Sequence, residues 1–427
     1  MKKLSLLLSL LVIFMCSLTI MPVFSIISSE NSWNTLANIP TARDSLGAAT
    51  IDGKVYAISG YSNGYGEITN VNEAYDPATD TWSTRNPMPT GRASFGIAVV
   101  GEKIYAIGGH SGYNQQTMES KTTCTNEAYD PLTDSWETKS PMSTNRSQLN
   151  ANEVDGKIYL IGGRSSSQSP AIVALNEVYD PTTDTWTTKA PLPNPIADYA
   201  SAVVGNKIYI IGGQNQTGTL DTTQIYDTVT DSWSLGAPIP TAVTQAAAGA
   251  TTGLRAPEAI YVLGGLRETS SLNQVYTPNN NSWGLAAPLP SARWNIAVVA
   301  LNDTLYAFGG FSDFLVFNRQ TLQYTPIGYG TTVVSQSPSP NSQISTDPYS
   351  TLLLAAVIVT IIAVAAVALL LHLKRRSTPR PTLHRTHQHT RSPNISKRKL
   401  PPTLSLRLIT REYLRYFLSL FSKPLVL

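Results

Sequence analysis

Six times along this chain a short apolar run ends in a glycine pair or its near equivalent, at intervals of roughly fifty residues. The pairs are Ser59-Gly60, Gly108-Gly109, Gly162-Gly163, Gly212-Gly213, Gly264-Gly265 and Gly309-Gly310. A period of this size marks an array of small β-sheets, none of which buries its own faces alone. The second copy shows the unit. An alternating run, Ser94 to Val100, meets the turn Gly101-Glu102 and the strand Lys103 to Ile107. After Gly108-Gly109 and a variable polar stretch come Asn126 to Pro131, then Asp134-Ser135-Trp136 and the exit Pro141-Met142. Four short β-prone runs divided by Gly, Pro and Asp turns predict one four-stranded antiparallel sheet per copy.

Aromatic residues keep the same period. Tyr56, Tyr105, Tyr159, Tyr209, Tyr261 and Tyr306 fall in the second strand, and Tyr75, Tyr129, Tyr179, Tyr226 and Tyr276 in the third, with Phe317 in the sixth copy. Trp82, Trp136, Trp186, Trp233 and Trp283 open the fourth strand, and Tyr324 stands at that spacing in the last copy. Large rings of this kind fill the gap between neighbouring sheets. Paired glycines followed by Tyr and then Trp resemble the kelch repeat, and the resemblance covers residues 31–328. It implies an all-β fold, a six-bladed β-propeller of four-stranded antiparallel blades. Ser32-Trp33, followed by Pro40-Thr41, reads as a fourth strand without its first three and is expected to close the last blade. Seven blades, one incomplete, is the alternative, because Tyr324 would give the last copy a fourth strand of its own.

The chain ends predict a compartment. Lys2 and Lys3 precede an apolar run from Leu4 to Ile27, so residues 1–28 read as a signal peptide or N-terminal signal anchor. Leu352 to Leu371 carries no charge and Lys374-Arg375-Arg376 follows, so residues 351–373 read as a single transmembrane helix. The positive-inside rule then puts the propeller outside the cell membrane and the tail in the cytoplasm. Residues 329–350, rich in Ser, Pro and Thr, read as a stalk. From Lys374 onward stand 13 Lys and Arg against the single acid Glu412. With Lys2 and Lys3 also set aside, a formal net charge of +3 leaves the remainder at −11. The basic tail, 374–427, suits anionic lipids, and 404–421, with Arg407, Arg411 and Arg415 at four-residue steps, suits an interfacial helix. No nucleic acid is needed to account for this charge. With Cys16 in the signal, Cys124 has no partner for a disulfide.

A binding face follows from strand direction. In an antiparallel blade the start of strand one and the end of strand two share one face, near the central channel. Thirteen residues before the second-strand Tyr stand Arg43, Arg92, Arg146, Ile196 and Arg293, and Val243 takes this place in the fifth copy. Copies six, one, two and three are consecutive in a closed ring, so the four arginines are expected to form an arc. Just after the glycines stand Tyr61, His110, Arg164, Gln214, Leu266 and Phe311. Arginine forks suit carboxylates, sulfates and phosphates, and Tyr61 and Phe311 offer flat faces. The expected partner is an anionic glycan or an acidic protein segment. The competing reading pairs each arginine with Glu73, Glu127 or Glu177 within the fold.

The kelch resemblance implies that ligand and partner sites lie on this face. The copper-dependent oxidases of that family need two histidines at the channel, and His110 is the only histidine before His372, so no metal or other cofactor is expected. Three functions remain. The favoured one is a cell-surface binding module for protein or glycan, serving adhesion or envelope interaction. A sialic-acid-mutarotase-like enzyme is the second, with the arginines as carboxylate clamp and Glu127 or Asp198 as base. A purely structural envelope component is the third.

Overall fold

The computed structural model describes residues 29–62, 67–114, 119–165, 172–266, 271–312 and 316–330. The expected signal (1–28), the stalk beyond 330, the membrane helix and the basic tail lie outside them. Among the described residues no helix is long and apolar enough to cross a membrane.

Six four-stranded antiparallel sheets stand in a ring. Blade one is typical: Gly47–Ile51 innermost, then Lys54–Tyr61, Ile68–Asp76 and Thr81–Arg85. The innermost strands of successive blades touch, and the cycle closes because that of blade six, Ala297–Leu301, also meets Gly47–Ile51. Where six strands converge there is little room, and the innermost strands are built of small residues such as Ala200-Ser201-Ala202 and Ala247-Ala248-Gly249-Ala250.

Each gap between blades holds one apolar cluster. Between blades one and two, for example, Tyr56 and Ile58 pack with Phe95, Ile104 and Tyr129. Burial of such rings and aliphatic side chains stabilises by about 1.5–3 kcal/mol each. The third-strand Tyr lies against its own blade's Trp, as with Tyr129 and Trp136 at 5.0 Å between ring centroids. Two hydrogen bonds then staple each blade to its predecessor. The Trp136 indole donates to Asn86 O, Trp186 to Ser140 O and Trp233 to Ala190 O. The Tyr hydroxyls of these blades donate to Asp134, Asp184 and Asp231, whose carboxylates also accept from the backbone N–H of Asn86, Ser140 and Ala190.

The ring is closed by Ser32–Leu36, which forms the outer strand of blade six against Thr321–Thr325, with Trp33 opposite Tyr324. Trp33 donates to Ala287 O, and Tyr324 donates to Asn31, which takes the place of the aspartates. Tyr324 is therefore the third-strand tyrosine of the sixth copy and needs no strand of its own after it. Phe317 does not occupy that position. It sits in a two-residue ladder with Phe311 above the blade. The hydroxyl decides between the two aromatics, since Phe has no donor for Asn31.

Candidate functional site at the channel mouth

The four periodic arginines do not line an open arc. Arg43, Arg92, Arg146 and Arg293 are each 0% exposed. Arg43 bonds Glu73 at 2.6 Å and Arg92 bonds Glu127 at 2.7 Å, while Arg146 pairs with Glu177. Their second nitrogens donate to the carbonyls of Ser59, Gly108 and Gly162, where the second strand ends. Burial pulls Arg43 and Arg92 down to about 10, partly offset by their glutamates, so both remain cationic at neutral pH. Arg293 bonds Ser291 and Gln320, with no carboxylate among its bonds, and desolvation takes it to about 10. In blades four and five Ile196 and Val243 stand in place of arginine. There Gln224 and Gln274 replace the glutamate and exchange two hydrogen bonds with the backbone of Asn194 and Thr241. The reading of these arginines as ligand contacts is thus corrected: each is enclosed by its own blade. Glu127, considered as a base, is enclosed with them.

The mouth is made by the neighbouring positions. The residue after each arginine position pairs with the residue after the glycines, in five of the six blades as a β-bridge: Asp44 with Tyr61, Ala93 with His110, Ser147 with Arg164, Ala197 with Gln214 and Trp294 with Phe311. In blade five the Leu266 N–H donates to Thr244 O. The following residue forms a collar. Ser45, Ser94, Gln148, Asp198, Gln245 and Asn295 all have φ between 50° and 58°. The N–H of each donates to the carbonyl of the one before, and Ser45 donates to Asn295, so six hydrogen bonds of 2.8–3.0 Å run head to tail around the channel. The left-handed conformation costs each of these residues about 1–3 kcal/mol, and the cyclic bonding offsets it.

Polar chemistry gathers over blades one to four. His110 hydrogen-bonds the Tyr61 hydroxyl at 2.9 Å through Nδ1 and the Ser147 hydroxyl at 2.8 Å through Nε2, one ring nitrogen donating and the other accepting. Burial, with Arg164 nearby, pulls its pKa down to about 4, so the ring is neutral at physiological pH. Gln214 donates to Asp198 at 2.6 Å. Burial pushes the Asp198 carboxyl up to about 6 against the Gln214 bond and the Arg164 charge, although one edge of the side chain borders the channel. Asp44, fully buried, is also pushed up to about 6, with Ser45 and Asn295 donating to it. Arg164 is half-buried and makes no ion pair with any described residue. Blade six differs: Trp294, Phe311 and Phe317 stack there, outside the apolar clusters between the blades.

Below the collar lies a cavity of about 260 Å³, with Asn150, Asn152 and Ser201 on its wall. A further space of about 320 Å³ continues between alanines and valines such as Ala48, Ala98, Val203 and Val299. Asn152 Nδ2 is buried without a described acceptor, as is Gln148 Oε1 without a donor. Among the described residues no cluster of His, Cys, Asp and Glu could hold a metal ion. Of the nine predicted contacts, Tyr61, His110, Arg164, Gln214 and Phe311 stand at the mouth, and Arg43, Arg92, Arg146 and Arg293 do not. Sequence reasoning missed Asp44, Trp294 and the collar. Trp294 carried a signal, being the one tryptophan outside the repeat's fourth-strand position.

Comparison with known proteins agrees with this architecture. Residues 97–310 match the family profile described as the KLHDC2/KLHL20/DRC7 Kelch-repeats domain, and residues 42–89 match the Kelch motif. The fold is similar to that in the solved structure titled "Structure of YjhT", with a TM-score of 0.57 and 18% identity. That similarity covers 67% of this chain and 95% of the other. No curated protein matches the chain.

Proposed function

The chain belongs to the kelch-repeat family, and from that premise we propose that it is a binding module whose channel mouth captures an anionic group at Arg164. The observation that carries this reading is the contrast among the arginines. Three are enclosed with glutamates and one with neutral partners, whereas Arg164 stands at the rim without an ion pair to a described residue. Its nearest described carboxyl, Asp198, accepts from Gln214 and forms no ion pair with Arg164, so the guanidinium is left for a ligand. A guanidinium fork in such a setting suits a carboxylate, sulfate or phosphate. The collar supports the reading as well, because a hydrogen-bonded ring fixes the site before the ligand arrives. We place the module outside a cell membrane, held by 351–373, on the strength of the charge order around that apolar run.

The test is an array of anionic glycans and acidic peptides probed with the full-length chain and with Arg164→Met. Salt-sensitive retention by the wild type, lost in the variant, is the expected result. Retention unchanged in Arg164→Met would refute the assignment. One observation favours a second reading, acid–base catalysis on a bound sugar acid. Burial pushes the Asp198 carboxyl up to about 6, and its side chain borders the cavity with the Arg164 charge nearby. Anomeric exchange of sialic acid, followed by NMR with and without the protein and with Asp198→Asn, separates catalysis from binding.

A further inference from the structure

The mouth has a second half that the anion site does not use. Trp294 and Phe311 are stacked at 5.9 Å with an interplanar angle of 27°, and Phe317 lies 4.4 Å from Phe311. All three rings are half-buried. None belongs to a cluster that holds blades together. An aromatic group that serves no interior and remains partly open marks a contact surface. Its place is fixed by the ring. Trp294 immediately precedes the collar residue Asn295, as Ser147 precedes Gln148, and Phe311 occupies in blade six the position that Arg164 occupies in blade three. In a closed ring of six, blades three and six face one another across the channel. The mouth therefore carries a cation on one side and an aromatic platform on the other.

We propose that this platform is a second subsite, and that the ligand is an acidic oligosaccharide lying across the mouth. One sugar ring stacks on Trp294 and Phe311, and the acid group of another residue reaches Arg164. The inference rests on the anion reading above. A saccharide fits better than a peptide because the polar groups between the two subsites are mostly hydroxyls and amides. Ser45, Ser94, Gln148, Gln245 and Asn295 stand on the collar with the single carboxyl of Asp198, and Asn150 and Asn152 lie below it. Sugar hydroxyls donate and accept at once, which suits hydroxyl and amide groups of this kind.

The experiment compares galacturonate with tetragalacturonate binding to the full-length chain, followed by tryptophan fluorescence and calorimetry. The tetramer should bind more tightly than the monomer. Trp294→Leu and, separately, Phe317→Ser should cost the tetramer about tenfold in affinity and leave the monomer unchanged. Arg164→Met should weaken both. If the platform variants bind the tetramer as the wild type does while Arg164→Met does not, the platform proposal is overturned and the anion reading stands. If Arg164→Met leaves both ligands unaffected, or neither ligand binds, both readings fall. Binding of polyglutamate with the same dependence on Trp294, in place of the tetramer, overturns the saccharide assignment. Unchanged thermal midpoints in the two platform variants exclude misfolding as the cause of a loss.

Discussion

Arg92 shows how one residue type serves two unrelated ends in this molecule. Enclosed with Glu127 and donating to Gly108 O and Thr125 O, it ties strand ends together. Removing one member of such a pair strands a buried charge, so Arg92→Ile should destabilise by about 3–5 kcal/mol in urea titrations. Blade four already contains the alternative, Ile196 with Gln224. Arg92→Ile combined with Glu127→Gln should therefore recover to within about 1 kcal/mol of the wild type. A double variant no more stable than the single would sink this account. Asp44 gives a pH signature. Its folded-state pKa of about 6 lies above the ordinary value, so the folded state binds the proton more tightly than the unfolded chain does. Its contribution to stability is therefore fully present below about pH 4 and declines as pH rises to about 6, by on the order of 2–3 kcal/mol. Asp44→Asn should abolish that decline, which the wild-type minus variant difference in urea midpoint across pH 4–7 will report. The period of the arginines was legible in the sequence. Their enclosure was less so, because the spacing of Arg43 and Glu73 shows that they repeat together but not which way the guanidinium turns. Arg164 was legible only as one of six varied residues, since what distinguishes it is the lack of an ion pair with a described residue.

At the level of the single blade, the glycine pairs were the clearest sequence signal, and their reason is geometric. Gly163 has φ of +88°, and a Cβ there would meet Ser147 O at 2.7 Å. Gly163→Ala should cost at least about 3 kcal/mol, measured by thermal or urea unfolding, because conformation and space both oppose it. The one departure is informative. Ser59 replaces the first glycine of its pair at φ 55°, and its hydroxyl donates to Thr69 O and accepts from the Arg92 N–H. A serine is tolerated there because the local backbone gives its oxygen two partners. The collar was invisible to sequence reasoning. Ser45, Ser94, Gln148, Asp198, Gln245 and Asn295 share no side-chain chemistry beyond polarity, and what unites them is a backbone angle. The assignment of Phe317 failed for a related reason: loops of differing length between the second and third strands blur the spacing, and only the hydroxyl bond to Asn31 identifies Tyr324 as the true counterpart.

On the scale of the whole ring, closure depends on five residues from the front of the chain, Ser32–Leu36, laid against Thr321–Thr325. The sequence disclosed this strand because Ser32-Trp33 had the signature of a fourth strand with nothing before it. A disulfide at the facing pair Asn34 and Gln323, made by Asn34→Cys with Gln323→Cys, encloses nearly the whole propeller in one covalent loop. It should add on the order of 4–5 kcal/mol under oxidising conditions, lost on addition of reductant, as a shift in thermal midpoint will show. The same latch has a mechanical side. The two strands are antiparallel, and Ser32 faces Thr325, so the chain enters and leaves the pair at one end. Tension between the two termini would load these hydrogen bonds one after another, in the manner of a zipper, rather than all together in shear. A propeller pulled by both ends would open first at this seam, at low force and in small steps, while each of the other blades stayed intact.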